Sequence, residues 1–169
     1  MVASSKNPSK ALARELAADL RSYEYKRPRT LPLSATRSQA YVTARHLLPK
    51  LFPHAAIKKG GRGAFVPITL EELGTRMLGS VLERRDPALF TTRWILALPY
   101  ETHVAYARAH KLPIRPLAIP IELRDAHAML EGLTRLQPQT PYALRSSYEF
   151  LRKELGKKRA ERRKPQNEV

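Results

Sequence analysis

The chain has 169 residues, no cysteine, and 31 Lys+Arg against 15 Asp+Glu, a formal net charge of +16. That length fits one domain, or a compact core with extended ends, and 43% hydrophobic residues suffice for a core. The cysteine count excludes a disulfide scaffold, a zinc ribbon and a thiol nucleophile, and no run approaches the ~20 apolar residues of a membrane helix. So basic a chain repels itself when folded, which points to a polyanionic partner.

In chain order, residues 1–14 lack acids and carry Lys6, Lys10, Arg14 and three serines. Mitochondrial targeting segments share that pattern, as do ordinary basic N-termini, and Glu15 and Asp19 soon interrupt it. A first helix is expected from Lys10 to Tyr23, with Ser9 as N-cap and one apolar stripe at Leu12, Leu16, Leu20 and Tyr23. Pro28 and Pro32 then break KRPRTLPLSAT (26–36) into an extended basic strap. A second helix covers Arg37 to Leu48, turning Ala40, Ala44, Leu47 and Leu51 toward the core before Pro49 and Pro53 stop it.

KKGGRG (58–63) leads into a short β-like stretch at Ala64–Ile68. Thr69 and Glu72 have the spacing of a capping box, followed by Leu70, Leu73, Met77 and Val81 at helical intervals to about Arg84. Asp86-Pro87 offers another helix start, and the segment after it, LFTTRWILALP, suits strand or helix equally. Pro99 starts a helix to about His110, and residues 112–121 are proline-punctuated and extended. Two more helices follow, one over Pro120–Leu136. The other is capped by Thr140-Pro141 and has a buried face at Leu144, Tyr148, Leu151 and Leu155. The expected fold is mostly α: five to seven short helices, proline-rich connections, basic terminal extensions, and room for one small β element.

Charge is unevenly distributed. Arg21–Gly63 holds ten basic residues and one acid, Ala64–Leu151 ten and nine, and Arg152–Lys164 eight and two. A near-neutral stretch (64–151) thus lies between basic segments, and the layout reads as a helix with a basic strap (1–36), a compact, mainly helical body (37–151) and a basic C-terminal extension (152–169). Three segments are candidates for RNA phosphate contact: Lys26, Arg27 and Arg29 in the strap, with Arg37 beyond it; Lys58, Lys59 and Arg62, whose neighbouring glycines admit close backbone approach; and Lys157, Lys158, Arg159, Arg162, Arg163 and Lys164. Tyr23 and Tyr25 could stack on bases or close the first helix.

No catalytic, metal or cofactor constellation is read. His46, His54, His103, His110 and His127 lack metal spacing, Glu71-Glu72 suits helix capping, and Trp94 suits the core or a docking anchor.

In composition and layout the chain resembles mitochondrial ribosomal proteins, though no diagnostic motif carries the likeness. The resemblance implies a structural, non-enzymatic subunit in the mitochondrial matrix that clamps rRNA and neighbouring proteins. An accessory subunit or assembly factor of a mitochondrial membrane complex and a DNA-binding protein are the alternatives; the first helix is poorly basic for the former, and no helix-turn-helix, zinc site or zipper supports the latter.

Overall fold

The computed structural model describes residues 7–23, 25, 29–61, 63–83 and 89–162; for residues 83 and 156–162 only the backbone path is described. Lys26, Arg27, Arg62, Arg163, Lys164 and the Asp86-Pro87 start fall outside the described residues.

The described residues form six α-helices around a four-stranded parallel sheet of order β2-β1-β3-β4. Helix α1 (Pro8–Ser22) is capped by Asn7, whose side chain accepts from Lys10 N, rather than by Ser9. Its Leu12, Leu16 and Leu20 stripe is buried as the spacing requires. Strand β1 (Thr30–Leu33) leads to α2 (Gln39–Leu51), β2 (Ala56–Lys59) and β3 (Phe65–Pro67). Then come α3 (Leu70–Glu83), β4 (Arg93–Ile95), α4 (Tyr100–Ala109), a 3-10 turn (Ile121–Leu123), α5 (Arg124–Leu136) and α6 (Thr140–Arg162). The many short helices are as expected, but the class is α/β.

The strap is extended, as expected, but part of it belongs to the sheet. TLPL is an interior strand, although a proline normally argues against one. The register explains why it is tolerated. The carbonyls of Arg29 and Leu33 accept from Ala56 N and Gly60 N on the β2 side, whereas Ser34 N donates to Phe65 O on the β3 side. By alternation, Pro32 aims its missing donor at β3, which begins to pair only beside Leu33. No ladder bond is lost.

The same stagger explains the β2–β3 connection. A parallel crossover ordinarily needs a dozen or more residues to return to the start of the sheet. Here β2 ends at Lys59 beside Leu33 and β3 starts at Phe65 beside the same residue, so no return is needed. Gly60, Gly61 and Gly63 make the crossing with φ of 65°, 105° and 73°, conformations that favour glycine.

Alternation along the strands divides the core between the two faces. Leu31, Leu33, Phe65 and Ile95 pack with α1, α2 and Tyr106 of α4. Trp94 packs on the other side with Leu73, Met77 and Tyr148 of α3 and α6. Leu151 and Leu155, expected in the buried face of α6, are 41% and 42% exposed, and Leu51 of α2 is 37% exposed.

Beyond β4, Leu96 adopts φ 63°, which is uncommon for a residue with a Cβ. Two side chains hold it. Its N–H donates to Asp19 Oδ2 of α1 at 2.7 Å, and its carbonyl accepts from His103 Nε2 of α4 at 3.0 Å. Because a carbonyl only accepts, Nε2 carries the His103 proton, leaving Nδ1 to face Thr43 Oγ1 at 3.1 Å. Burial pushes His103 down to about 4. Burial, with the nearby Glu15 carboxylate second, pushes Asp19 up to about 7.

Candidate phosphate-binding crevice

In open parallel sheets the ligand crevice lies beyond the carboxyl ends of the strands, where successive connections leave in opposite directions. This sheet has one such point. From β1 the chain goes through α2 to β2 on one side, and from β3 through α3 to β4 on the other. A crevice of about 750 Å³ opens there, between the β1–α2 loop (Thr36, Arg37, Ser38), the end of β3 (Val66, Pro67, Ile68) and α3 (Glu72, Arg76). Trp94 and the extended segment Arg115–Pro120 complete its wall. A second depression, about 910 Å³, is an open trough along α1 and includes Lys10, Arg14 and several alanines; it lies away from the strand ends.

Glu72 holds the crevice in shape. The expected capping box forms: Thr69 N donates to Glu72 Oε2 at 2.9 Å, and Glu72 N to Thr69 Oγ1 at 3.3 Å. The same carboxylate accepts from Ser38 Oγ at 2.7 Å and from Ala118 N at 3.1 Å. One buried side chain therefore ties the β1–α2 loop, the start of α3 and the 112–120 segment together. Both carboxylate oxygens are engaged, so Glu72 is a poor general base here. Glu71 is also used structurally, accepting from Tyr100 N at 2.9 and 3.1 Å at the start of α4, and burial raises its pKa.

Three arginines line the walls. Arg76 lies 5.3 Å over the ring of Trp94. Arg115 donates to the Thr36 carbonyl at 3.1 Å and sits 5.9 Å over Tyr41. Arg37 is exposed at the mouth. Helix α2, capped by Ser38, directs the positive end of its dipole the same way. Thr36 Oγ1 is buried without a hydrogen-bond partner among the described residues. A cleft with three cations, one consumed carboxylate, a helix N-terminus and an indole face suits a phosphate-bearing ligand with an aromatic part.

Of the described residues singled out from sequence for RNA contact, Arg37 alone reaches this crevice. Arg29, Lys58 and Lys59 are exposed elsewhere, and Lys157, Lys158, Arg159 and Arg162 lie on the α6 backbone. Arg76, Arg115 and Thr36 were missed, since they meet only through the sheet topology. His46 and His127 serve the fold: His46 pairs with the Tyr106 hydroxyl at 2.9 Å and His127 with Thr75 at 3.0 Å.

The chain is thus a parallel α/β protein with its crevice at the strand switch point. No protein-family model and no curated protein matches its sequence. Among solved structures it is similar to the U34-tRNA thiolase NcsA from Methanococcus maripaludis with its 4Fe–4S cluster. The TM-score is 0.63 and the identity 11%, over 86% of this chain and 79% of that one. Identity that low establishes a shared fold and nothing finer.

The match nonetheless corrects the reading of a non-enzymatic ribosomal subunit: the shared fold belongs to a tRNA-modifying enzyme, and composition had carried the ribosomal likeness without any motif. Among the described residues no helix is long and apolar enough to cross a membrane. The neighbour's cluster has no counterpart in this chain's chemistry. Such clusters are held by cysteine thiolates, this chain has none, and the described residues contain no metal-binding group of His, Asp and Glu.

Proposed function

We propose that this protein is a nucleotide-binding α/β protein of the tRNA-modifying enzyme type, which holds nucleotide phosphates in the switch-point crevice and acts on RNA without an iron–sulfur centre of its own. The observation that carries this reading is the gathering of Arg37, Arg76 and Arg115 around the start of α2 beyond β1 and β3. Phosphates would lie against the β1–α2 loop and the arginines, with the base toward Trp94. RNA as the second partner is supported by the charge of +16 and by the fold neighbour's being a tRNA thiolase.

Calorimetric titration with ATP and AMP tests it. A charge-assisted hydrogen bond contributes about 1.5–3 kcal/mol. The double variant Arg37→Ala/Arg76→Ala should therefore bind ATP at least 100-fold more weakly, with an unchanged melting profile. Absence of saturable binding by wild type at millimolar nucleotide, or equal binding by the variant, would overturn the proposal.

A further inference from the structure

Lys59, Leu33, Phe65 and Arg93 form one row across the four strands, and residues in one row share a face of the sheet. Leu33 and Phe65 are buried, while Lys59 is exposed at the edge. Tyr25, just before the basic strap, stands edge-on to Phe65 with centroids 4.9 Å apart. The Arg93 guanidinium covers both rings, 5.5 Å from Tyr25 and 5.6 Å from Phe65, and donates to the Gly63 carbonyl at 3.3 Å. The glycine crossing and the tyrosine segment therefore meet at Arg93.

Close by, Tyr23 donates to Trp94 O at 3.2 Å and packs edge-on to Phe65, and Arg152 of α6 lies 4.4 Å over the Tyr23 ring. The Nε of Arg152 is buried without a hydrogen-bond partner among the described residues. Arg29 is exposed just before β1, and Lys58 beside Lys59. Segments distant in sequence thus place cations along one row of the sheet, Lys59 at the β2 edge and Arg93 at the β4 edge.

We infer that the surface along this row, from Lys58 and Lys59 at the β2 edge to Arg93 and Arg152 at the β4 edge, with Arg29 at the amino end of β1, grips the phosphodiester backbone of RNA. Among the described residues, the ion pairs involve His127, Arg145 and their carboxylates, none of these five cations. Stacking on half-buried rings holds the two guanidinium groups in place, so less side-chain entropy is lost on docking. Gly60, Gly61 and Gly63 present backbone without Cβ between Lys59 and Arg93. Three strand spacings of about 4.8 Å put roughly 14 Å between those two residues, a strip of charge rather than a point. Arginines cover the rings, so the strip offers no apolar side chain to a bilayer. RNA as the partner rests on the proposed function; the place of the surface does not.

The test is anisotropy of a fluorescein-labelled tRNA transcript titrated with the full chain between 50 and 300 mM KCl. Five neutralised phosphates give log K a slope near −3.5 against log salt, at about −0.7 per single-strand contact. Lys58→Ala/Lys59→Ala, both at exposed positions, should flatten the slope by about 1.4, and Arg93→Gln/Arg152→Gln by a similar amount. Each pair should bind at least tenfold more weakly at 150 mM KCl while binding ATP as wild type does. Arg108→Ala/Lys111→Ala, exposed on and just after α4, should change neither. The inference is overturned if the strip variants bind tRNA like wild type, if the α4 pair loses as much, or if phosphatidylserine vesicles outcompete tRNA. Loss of ATP binding in the crevice variant with tRNA binding intact would leave it standing.

Discussion

Stability should respond to pH through the two groups that hold Leu96, and in opposite directions. The Asp19 carboxyl lies in a small cavity of about 190 Å³ bounded by Arg145, Tyr148 and Arg152. Its pKa rises from 3.8 to about 7, so its contribution is full below pH 3.8 and is lost as pH climbs through 7. At about 1.36 kcal/mol per pH unit, that is at most about 4 kcal/mol. His103 falls from 6.5 to about 4, so its contribution is present above pH 6.5 and lost as pH drops toward 4, about 3 kcal/mol in all. Between pH 4 and 6.5 the two slopes nearly cancel. Asp19→Asn keeps a carbonyl oxygen for Leu96 N but cannot ionise. Urea unfolding of wild type and variant at pH 4, 5, 6, 7 and 8 isolates the effect, because other titrations drop out of the difference. The variant should gain about 4 kcal/mol relative to wild type between pH 4 and 7, and its own stability should fall with acid. A difference constant to within about 1 kcal/mol across that range would refute the assignment.

Glu72→Ala should destabilise the fold by about 2–4 kcal/mol, since Ser38, Thr69 N and Ala118 N lose a common acceptor; it should also weaken ATP binding by loosening the crevice, which calorimetry and denaturant melts check together. Gly61→Ala puts a Cβ on a residue at φ 105° and should cost about 1–3 kcal/mol in urea unfolding despite the open space around it. Gly132→Ala, within α5 with nothing near the added Cβ, should instead stabilise by about 0.5–1 kcal/mol.

What the sequence disclosed was local. The Thr69–Glu72 capping box, the Leu12–Leu16–Leu20 stripe and the Pro99 start of α4 are written within a turn or two of chain, and each forms. The sheet is not written that way. Strands of three or four residues are too short to show a period, and Pro32 is acceptable only because β3 begins one residue later in register. The crevice was hidden for a related reason. Arg37, Arg76 and Arg115 are separated by nearly forty residues each, and nothing at any of the three marks it as facing the others. Charge asymmetry marked the basic segments, but composition alone could not reveal a parallel α/β fold.

Trp94 is the chain's single tryptophan and lines the crevice beneath Arg76, so its emission reports on a ligand bound there. Titrating ATP into the wild-type chain should change Trp94 fluorescence saturably, with the change abolished in Arg37→Ala/Arg76→Ala. Fluorescence that stays flat to millimolar ATP, or responds alike in both proteins, would contradict a nucleotide site at the ends of β1 and β3.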